Sequence, residues 1–313
     1  MKAFLLHNMR QFGTLIGLLV LCIVLWILTP HFLTVANLLN ITQQTSINAV
    51  IAVGMTFVII TAGIDLSVGS IMAFAGVVLA SAIEAGVPVP IALLIGLGVG
   101  MACGLINGVL ISWGKLPPFI STLGMMSVAR GAALLYTQGR PISGFSGDFR
   151  FLASGEILGI PNPVIIMIAV YLIAHFVLTR TKLGRYTYAI GGNEEASILS
   201  GINVRYYKTI VYGLCGMLSG LAAIILTARL NSAQPIAGIM YELDAIAATV
   251  IGGTSLMGGE GRIGGTLIGA LIMGVLRNGL NLLGVSSFIQ QTVIGSVIII
   301  AVLIDMALKK QKS

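Results

Sequence analysis

The chain has 313 residues, 57% of them hydrophobic and only 9% charged, with a mean hydropathy of +1.03. A soluble domain carries about 25% charged residues, so this composition excludes a water-soluble enzyme, a nucleic-acid binder and a disulfide-stapled secreted domain. The formal net charge of +7 fits basic flanks on the cytoplasmic side of membrane spans, and the 40 glycines fit helices that pack closely in lipid.

A bilayer core about 30 Å thick is crossed by about 20 apolar helical residues. That ruler predicts ten spans, at 12–29, 44–62, 70–85, 90–112, 117–137, 162–179, 208–228, 243–256, 263–282 and 287–307, of which 70–85 and 243–256 are the shortest. Residues 1–10 lack a small-residue cleavage site and the span after them is too long for a signal peptide, so it is expected to remain as a membrane helix. Ten spans place both termini on one side. Lys2, Arg10, Lys115, Arg180, Lys182, Arg185, Arg205, Lys208, Arg262, Lys309, Lys310 and Lys312 fall on that side, against Arg140, Arg150 and Arg229 on the other. The bias makes both termini cytoplasmic. The expected fold is all-α, a polytopic membrane protein of about ten transmembrane helices, with 1–313 forming one domain and no room for a nucleotide-binding fold.

In chain order, the first chemical features are Gln43, Gln44, Thr45, Ser46 and Asn48, clustered at the outer entrance of the second span. Polar groups within spans are costly unless they face a partner or water. Residues 63–70 (Gly-Ile-Asp-Leu-Ser-Val-Gly-Ser) then interrupt the apolar pattern, as do the glycine-rich residues 252–262; each is a turn or a break lining a pathway, since unpaired backbone does not survive in lipid. Gly96, Gly100, Gly104 and Gly108 form one small-residue face, and Gly261, Gly265 and Gly269 repeat the device; it serves packing within the chain or contact with another copy. Arg130 lies deep in its span and requires a carboxylate or carbonyls; Arg277 is also inside a span. Glu242 and Asp244 open the eighth span, where they suit capping, and Asn278 and Asn281 share a face of the ninth.

The longest inner loop runs over 180–207. Within it Asn193 suits an N-cap, Glu194 and Glu195 a first turn, and Gly201 a C-terminal stop, which predicts a helix of about two turns with Ala196, Leu199 and Ser200 on one face. Such a helix either docks in a groove on another protein or lies on the membrane. Cys22, Cys103 and Cys215, and His7, His31 and His175, stand alone, without the spacing of a metal site. Phosphate-loop, nucleophile-elbow and zinc-peptidase patterns are lacking.

The segment Glu194-Glu195-Ala196 through Gly201-Ile202 resembles the coupling loop of permeases in ATP-binding-cassette importers, and residues 63–70 narrow the resemblance to the sugar-import branch. Ser232-Ala233-Gln234-Pro235, residues 241–248, residues 278–287 and the stretch from Leu39-Asn40-Ile41 through Ile64 bring it to the ribose-importing permeases over nearly the whole chain, least clearly at 140–161. The resemblance implies a homodimeric permease of the bacterial inner membrane. A periplasmic sugar-binding protein would deliver ribose or a closely related sugar, and a separate cytoplasmic ATPase would drive alternating access. The chain would then be no enzyme and hold no cofactor, ATP and magnesium being bound by the partner; membrane lipid is a partner and nucleic acid is not. Together with the capping pattern, it implies coupling to the ATPase through Asn193, Glu194, Glu195, Ala196, Leu199 and Gly201. Together with the polar residues of the spans, it implies a translocation pathway at Asn48, Asp65, Ser67, Gln234, Asn278 and Asn281. Docking of the binding protein is expected at Arg140, Arg150 and Arg229. The alternative, a self-sufficient secondary sugar carrier or facilitator, is opposed by the exposed loop and by the lack of midplane carboxylates.

Overall fold

The structure, a computed structural model, describes residues 2–310, with side chains described for 13–303 and 306. Lys312 lies outside the described residues, and the side chains of Lys2, His7, Arg10, Lys309 and Lys310 lie outside the described side chains. Helices occupy all ten predicted positions: α1 (Lys2–Leu28), α2 (Val35–Ile60), α3 (Val68–Glu84), α4 (Val89–Ser112), α5 (Pro118–Thr137), α7 (Asn162–Arg180), α10 (Val204–Leu230), α11 (Tyr241–Ile251), α12 (Ile263–Leu282) and α13 (Ser287–Lys310). Between them lie α6 (Gly147–Ser154), α8 (Lys182–Gly192), α9 (Glu194–Leu199) and two-residue strands at Ile142–Ser143, Glu156–Ile157, Ile160–Pro161 and Ser232–Ala233.

Six of the described helices, α2, α4, α5, α7, α10 and α12, are long and apolar enough to cross a membrane; Gly13–Leu28, Val68–Glu84 and Ser287–Leu303 are shorter apolar stretches. α11 has 11 residues, about 16 Å at 1.5 Å per residue, and ends before the expected boundary at 256. It stops where Gly252 meets the backbone of Gly265 on α12, an approach no Cβ would permit. α2 starts at Val35 rather than 44, because Thr34 caps it by accepting the Asn37 N–H. In its polar first half Asn37 bonds Asn278 of α12 and Asn40 accepts from Arg229 of α10, while the hydroxyls of Thr42 and Ser46 donate to carbonyls of α2 itself.

α2 is the hub. Residues 49–60 are fully buried, enclosed by α7, α10, α11 and α12, which explains an apolar pattern without a polar face. α4 and α10 pack most intimately, glycine against glycine. A Cβ on Gly100 would strike the Gly216 carbonyl, one on Gly104 the Tyr212 carbonyl, and one on Gly108 would lie 2.6 Å from Thr209 Cα. The stripe therefore serves packing within the chain. Gly265 and Gly269 do the same between α12 and α11, facing the carbonyls of Gly252 and Ala248.

The connection 142–161 folds as a cap. Ile142 pairs with Ala233 and Ser143 with Ser232, tying it to the loop after α10. Phe145 and Phe149, in edge contact with centroids 5.2 Å apart, pack with Leu79, Ala92 and Ile224. Sequence pattern did not reveal α6, α8 or these strands: Ile142–Ser143 is held by Ser232–Ala233, distant in the chain, and Glu156–Ile157 by Ile160–Pro161 in a short local hairpin.

Candidate functional site

The predicted short helix is present as α9. Asn193 Oδ1 accepts the Ala196 N–H at 2.9 Å, capping its start. Its end is a paired closure: Ile202 N–H reaches the Ser197 carbonyl and Gly201 N–H the Ile198 carbonyl, with Gly201 at φ +78. Glu194, Glu195 and Ala196 are exposed; Ile198 is 56% and Leu199 88% exposed, while Ser197 faces inward. The Glu194 carboxylate pairs with Lys208 Nζ at 2.5 Å, fastening α9 to the first turns of α10. Trp113 receives the Arg205 guanidinium over its ring at 5.3 Å, so the end of α4 meets the same region.

Beneath α9 sits a second layer. α8 is capped by Thr181, whose hydroxyl accepts the Gly184 N–H. Gly191 of α8 packs without space for a Cβ against the Ile60 carbonyl, which also accepts the Gly259 N–H at 2.9 Å. Tyr188 donates to the Gly261 carbonyl at 2.7 Å; burial pushes its phenol above the ordinary tyrosine value, against the pull of Arg262, and keeps it a donor. The 252–262 segment is thus a turn clamped between α2 and α8, and Ser255 N–H closes it on the Glu260 carbonyl.

The 61–67 segment is also a turn. Asp65 is fully buried, and its Oδ1 accepts both the N–H (2.9 Å) and the hydroxyl (2.5 Å) of Ser67. Asn107 donates to Ser67 Oγ at 2.9 Å and accepts from Ser121 Oγ at 3.3 Å, so a polar chain joins the turn to α4 and α5. Asp65 and Ser67 are here parts of a buried brace.

Toward the other end, Arg130 donates to the carbonyls of Pro235 and Ala237, each at 2.7 Å. Its requirement is met by carbonyls. This clasp holds the loop that carries the exposed Gln234. Arg130→Met removes two charge-assisted bonds worth about 1.5–3 kcal/mol each. Faster backbone hydrogen exchange over 234–240, with exchange in α4 unchanged, is the expected result; unchanged exchange in the loop would contradict the clasp. Arg140 and Arg150 are exposed, and Arg229 donates to Asn40 Oδ1 at 2.9 Å.

Between α2, α11 and α12 lies a polar pocket of about 30 Å³, lined by Gln44, Thr45, Asn48, Tyr241, Asp244 and Arg277 among others. Glu242 behaves as a cap, accepting the Met240 N–H at 3.3 Å; Asp244 instead pairs with Arg277 at 2.5 Å. Thr45 Oγ1, Asn48 Oδ1 and Asp244 Oδ1, on residues that line the pocket, are buried without hydrogen-bond partners in the protein. Leaving a polar atom so costs about 1–3 kcal/mol, and polar cavities of this size admit a water. Gly274 also lines the pocket, and a Cβ there would collide with Thr45 Oγ1.

The six residues expected along a pathway are not gathered into one site. Asp65 and Ser67 form the brace and Asn48 lines the pocket. Asn278 and Asn37 exchange a reciprocal pair of amide bonds at 2.9 and 3.1 Å, Asn281 accepts from Gln290 at 2.8 Å, and Gln234 rides the exposed loop. Arg277 and Tyr241 had been assigned no part, although an arginine within a span always demands a partner.

Comparison with known proteins bears on this arrangement. Residues 37–303 match the family described as branched-chain amino acid transport system / permease component. The chain is 55% identical over 308 residues to the ribose import permease protein RbsC of Escherichia coli (strain K12), covering 97% of this chain and 95% of that one. It is 54% identical over 299 residues to the ribose import permease protein RbsC of Bacillus subtilis (strain 168), covering 95% and 93%. Against the D-allose transport system permease protein AlsC of Escherichia coli (strain K12) it is 43% identical over 302 residues, covering 96% and 93%. No solved structure matches the chain.

Proposed function

The chain belongs to the branched-chain amino acid transport system / permease component family, as a permease component of ATP-binding-cassette importers, and we propose that it carries ribose from periplasm to cytoplasm. The family description names amino acids, but relatives above 50% identity over nearly the full length are named for ribose, and they favour the sugar. In this reading ten helices span the bacterial inner membrane with both termini cytoplasmic, two copies form a homodimer, and all of 1–313 serves as one permease domain among membrane lipids. A cytoplasmic ATPase grips the surface built on Asn193, Glu194, Glu195, Ala196, Leu199 and Gly201, and a periplasmic sugar-binding protein rests on the other face near Arg140 and Arg150. Arg229 is half-buried and engaged with Asn40, so it supports that face from below.

One observation carries the reading: α9 is capped at both ends, presents Ile198 and Leu199 outward, and is fastened through Glu194 to Lys208. An exposed ion pair of this kind adds at most about 1 kcal/mol, so its use is to set the angle between α9 and α10. A push on α9 reaches α10, and through the glycine contacts it reaches α4. The chain does no covalent chemistry in this mechanism and needs no cofactor; ATP and magnesium reside on the partner. The test is reconstitution in proteoliposomes with its ATPase and binding protein. Ribose accumulation against a gradient is expected only with ATP and the ATPase present. Uphill uptake by this chain alone would establish the self-sufficient carrier instead.

A further inference from the structure

We infer that the pocket between α2, α11 and α12 is a hydroxyl-reading subsite for the sugar in transit, with Asp244 as its acceptor and Arg277 as the residue that positions Asp244. The inference rests on the ribose reading above and adds where within this chain the sugar is recognised. Three buried oxygens on residues that line the pocket, Thr45 Oγ1, Asn48 Oδ1 and Asp244 Oδ1, lack protein partners. Two of them accept only, so the missing partner must donate. The other oxygen of Asp244 is already engaged by Arg277, which also balances its charge. An anion would meet an unpaired carboxylate oxygen, and a cation would find no net negative charge. A neutral hydroxyl donates its proton to one of the two acceptor-only oxygens and accepts from the Thr45 hydroxyl, without adding charge to the pocket.

The space of about 30 Å³ suits one hydroxyl rather than a whole ring. The subsite therefore reads one hydroxyl, or a water holds its place between passages. Gln44, Asn48, Tyr241 and Arg277 at the rim are only partly buried. Such groups do not face hydrocarbon, so the rim opens toward water or toward the bundle interior.

The experiment uses the full assembly in proteoliposomes, with uptake of ribose and of 2-, 3- and 5-deoxyribose measured at concentrations that saturate the binding protein. Wild type is expected to prefer ribose to at least one analogue. Thr45→Val, Asp244→Asn and Gly274→Ala are expected to shrink that preference at least tenfold, and Thr45→Ser to restore it. Equal losses for ribose and all analogues, or unchanged ratios, would show a merely structural cluster and overturn the inference while leaving ribose import standing. Loss of uptake when choline replaces sodium would make the oxygens a cation site and overturn it too. A wild-type assembly that takes up no ribose removes the ribose reading, and the inference falls with it.

Discussion

Leu199→Asp is expected to lower ATP-driven uptake at least tenfold while the permease still folds and the ATPase still hydrolyses ATP. Leu199 is 88% exposed and sits on the last turn of α9, so the substitution breaks no packing within the chain; exposed changes of this kind shift stability by about 0.5 kcal/mol or less. Its effect must then fall on whatever α9 meets. A charge brought into an apolar docking groove is left without water or a partner, a cost far above that of losing the leucine contacts alone. Leu199→Ala, which only trims the contact, is expected to do less. Gly201→Trp reaches the same end by another route, because φ +78 is costly for any residue with a Cβ and the paired closure of α9 depends on it. The measurement is paired uptake and ATP hydrolysis in proteoliposomes. Unchanged uptake in Leu199→Asp would remove α9 from the coupling surface.

Gly104→Leu should have the larger structural effect. Its Cβ would fall on the carbonyl of Tyr212, a backbone atom that cannot swing aside, so α4 and α10 must part along the contact through which Gly100 and Gly216 also meet. Overpacking a tight contact costs about 1–3 kcal/mol, and here the other glycine contacts of the seam are lost with it. Gly98→Leu is the control, on the same helix with open space around its Cβ position. Thermal unfolding in detergent should fall by many degrees for Gly104→Leu and by less than about 2 °C for Gly98→Leu. Equal midpoints would mean that the two helices do not pack through this seam.

The limits of α9 were legible from local pattern, and the rest of the candidate site shows what local pattern lacks. Asn193 and Gly201 could be read as the limits of α9 because capping is decided within four residues, and the structure has both bonds in place. Arg130 was known to need partners, but carbonyls at Pro235 and Ala237 lie more than a hundred residues away, and nothing local points to them. Asn278 looked available for a solute until Asn37, 241 positions earlier, took its amide. The polar pocket went unseen for the same reason. Gln44, Asp244 and Arg277 each looked like an isolated polar residue near a span, and only the meeting of three helices makes them neighbours.

What composition and periodicity determined alone was the membrane class, the positions of ten helices and the ends of α9. Those depend on transfer of side chains from water and on hydrogen bonds closed within a turn or two, quantities summed along the chain. Which glycine face meets which, whether a buried polar group braces a turn or lines a cavity, and where α11 stops were decided by the tertiary structure. These are matters of close approach between backbones distant in sequence, and such contacts depend on atoms that no local window contains.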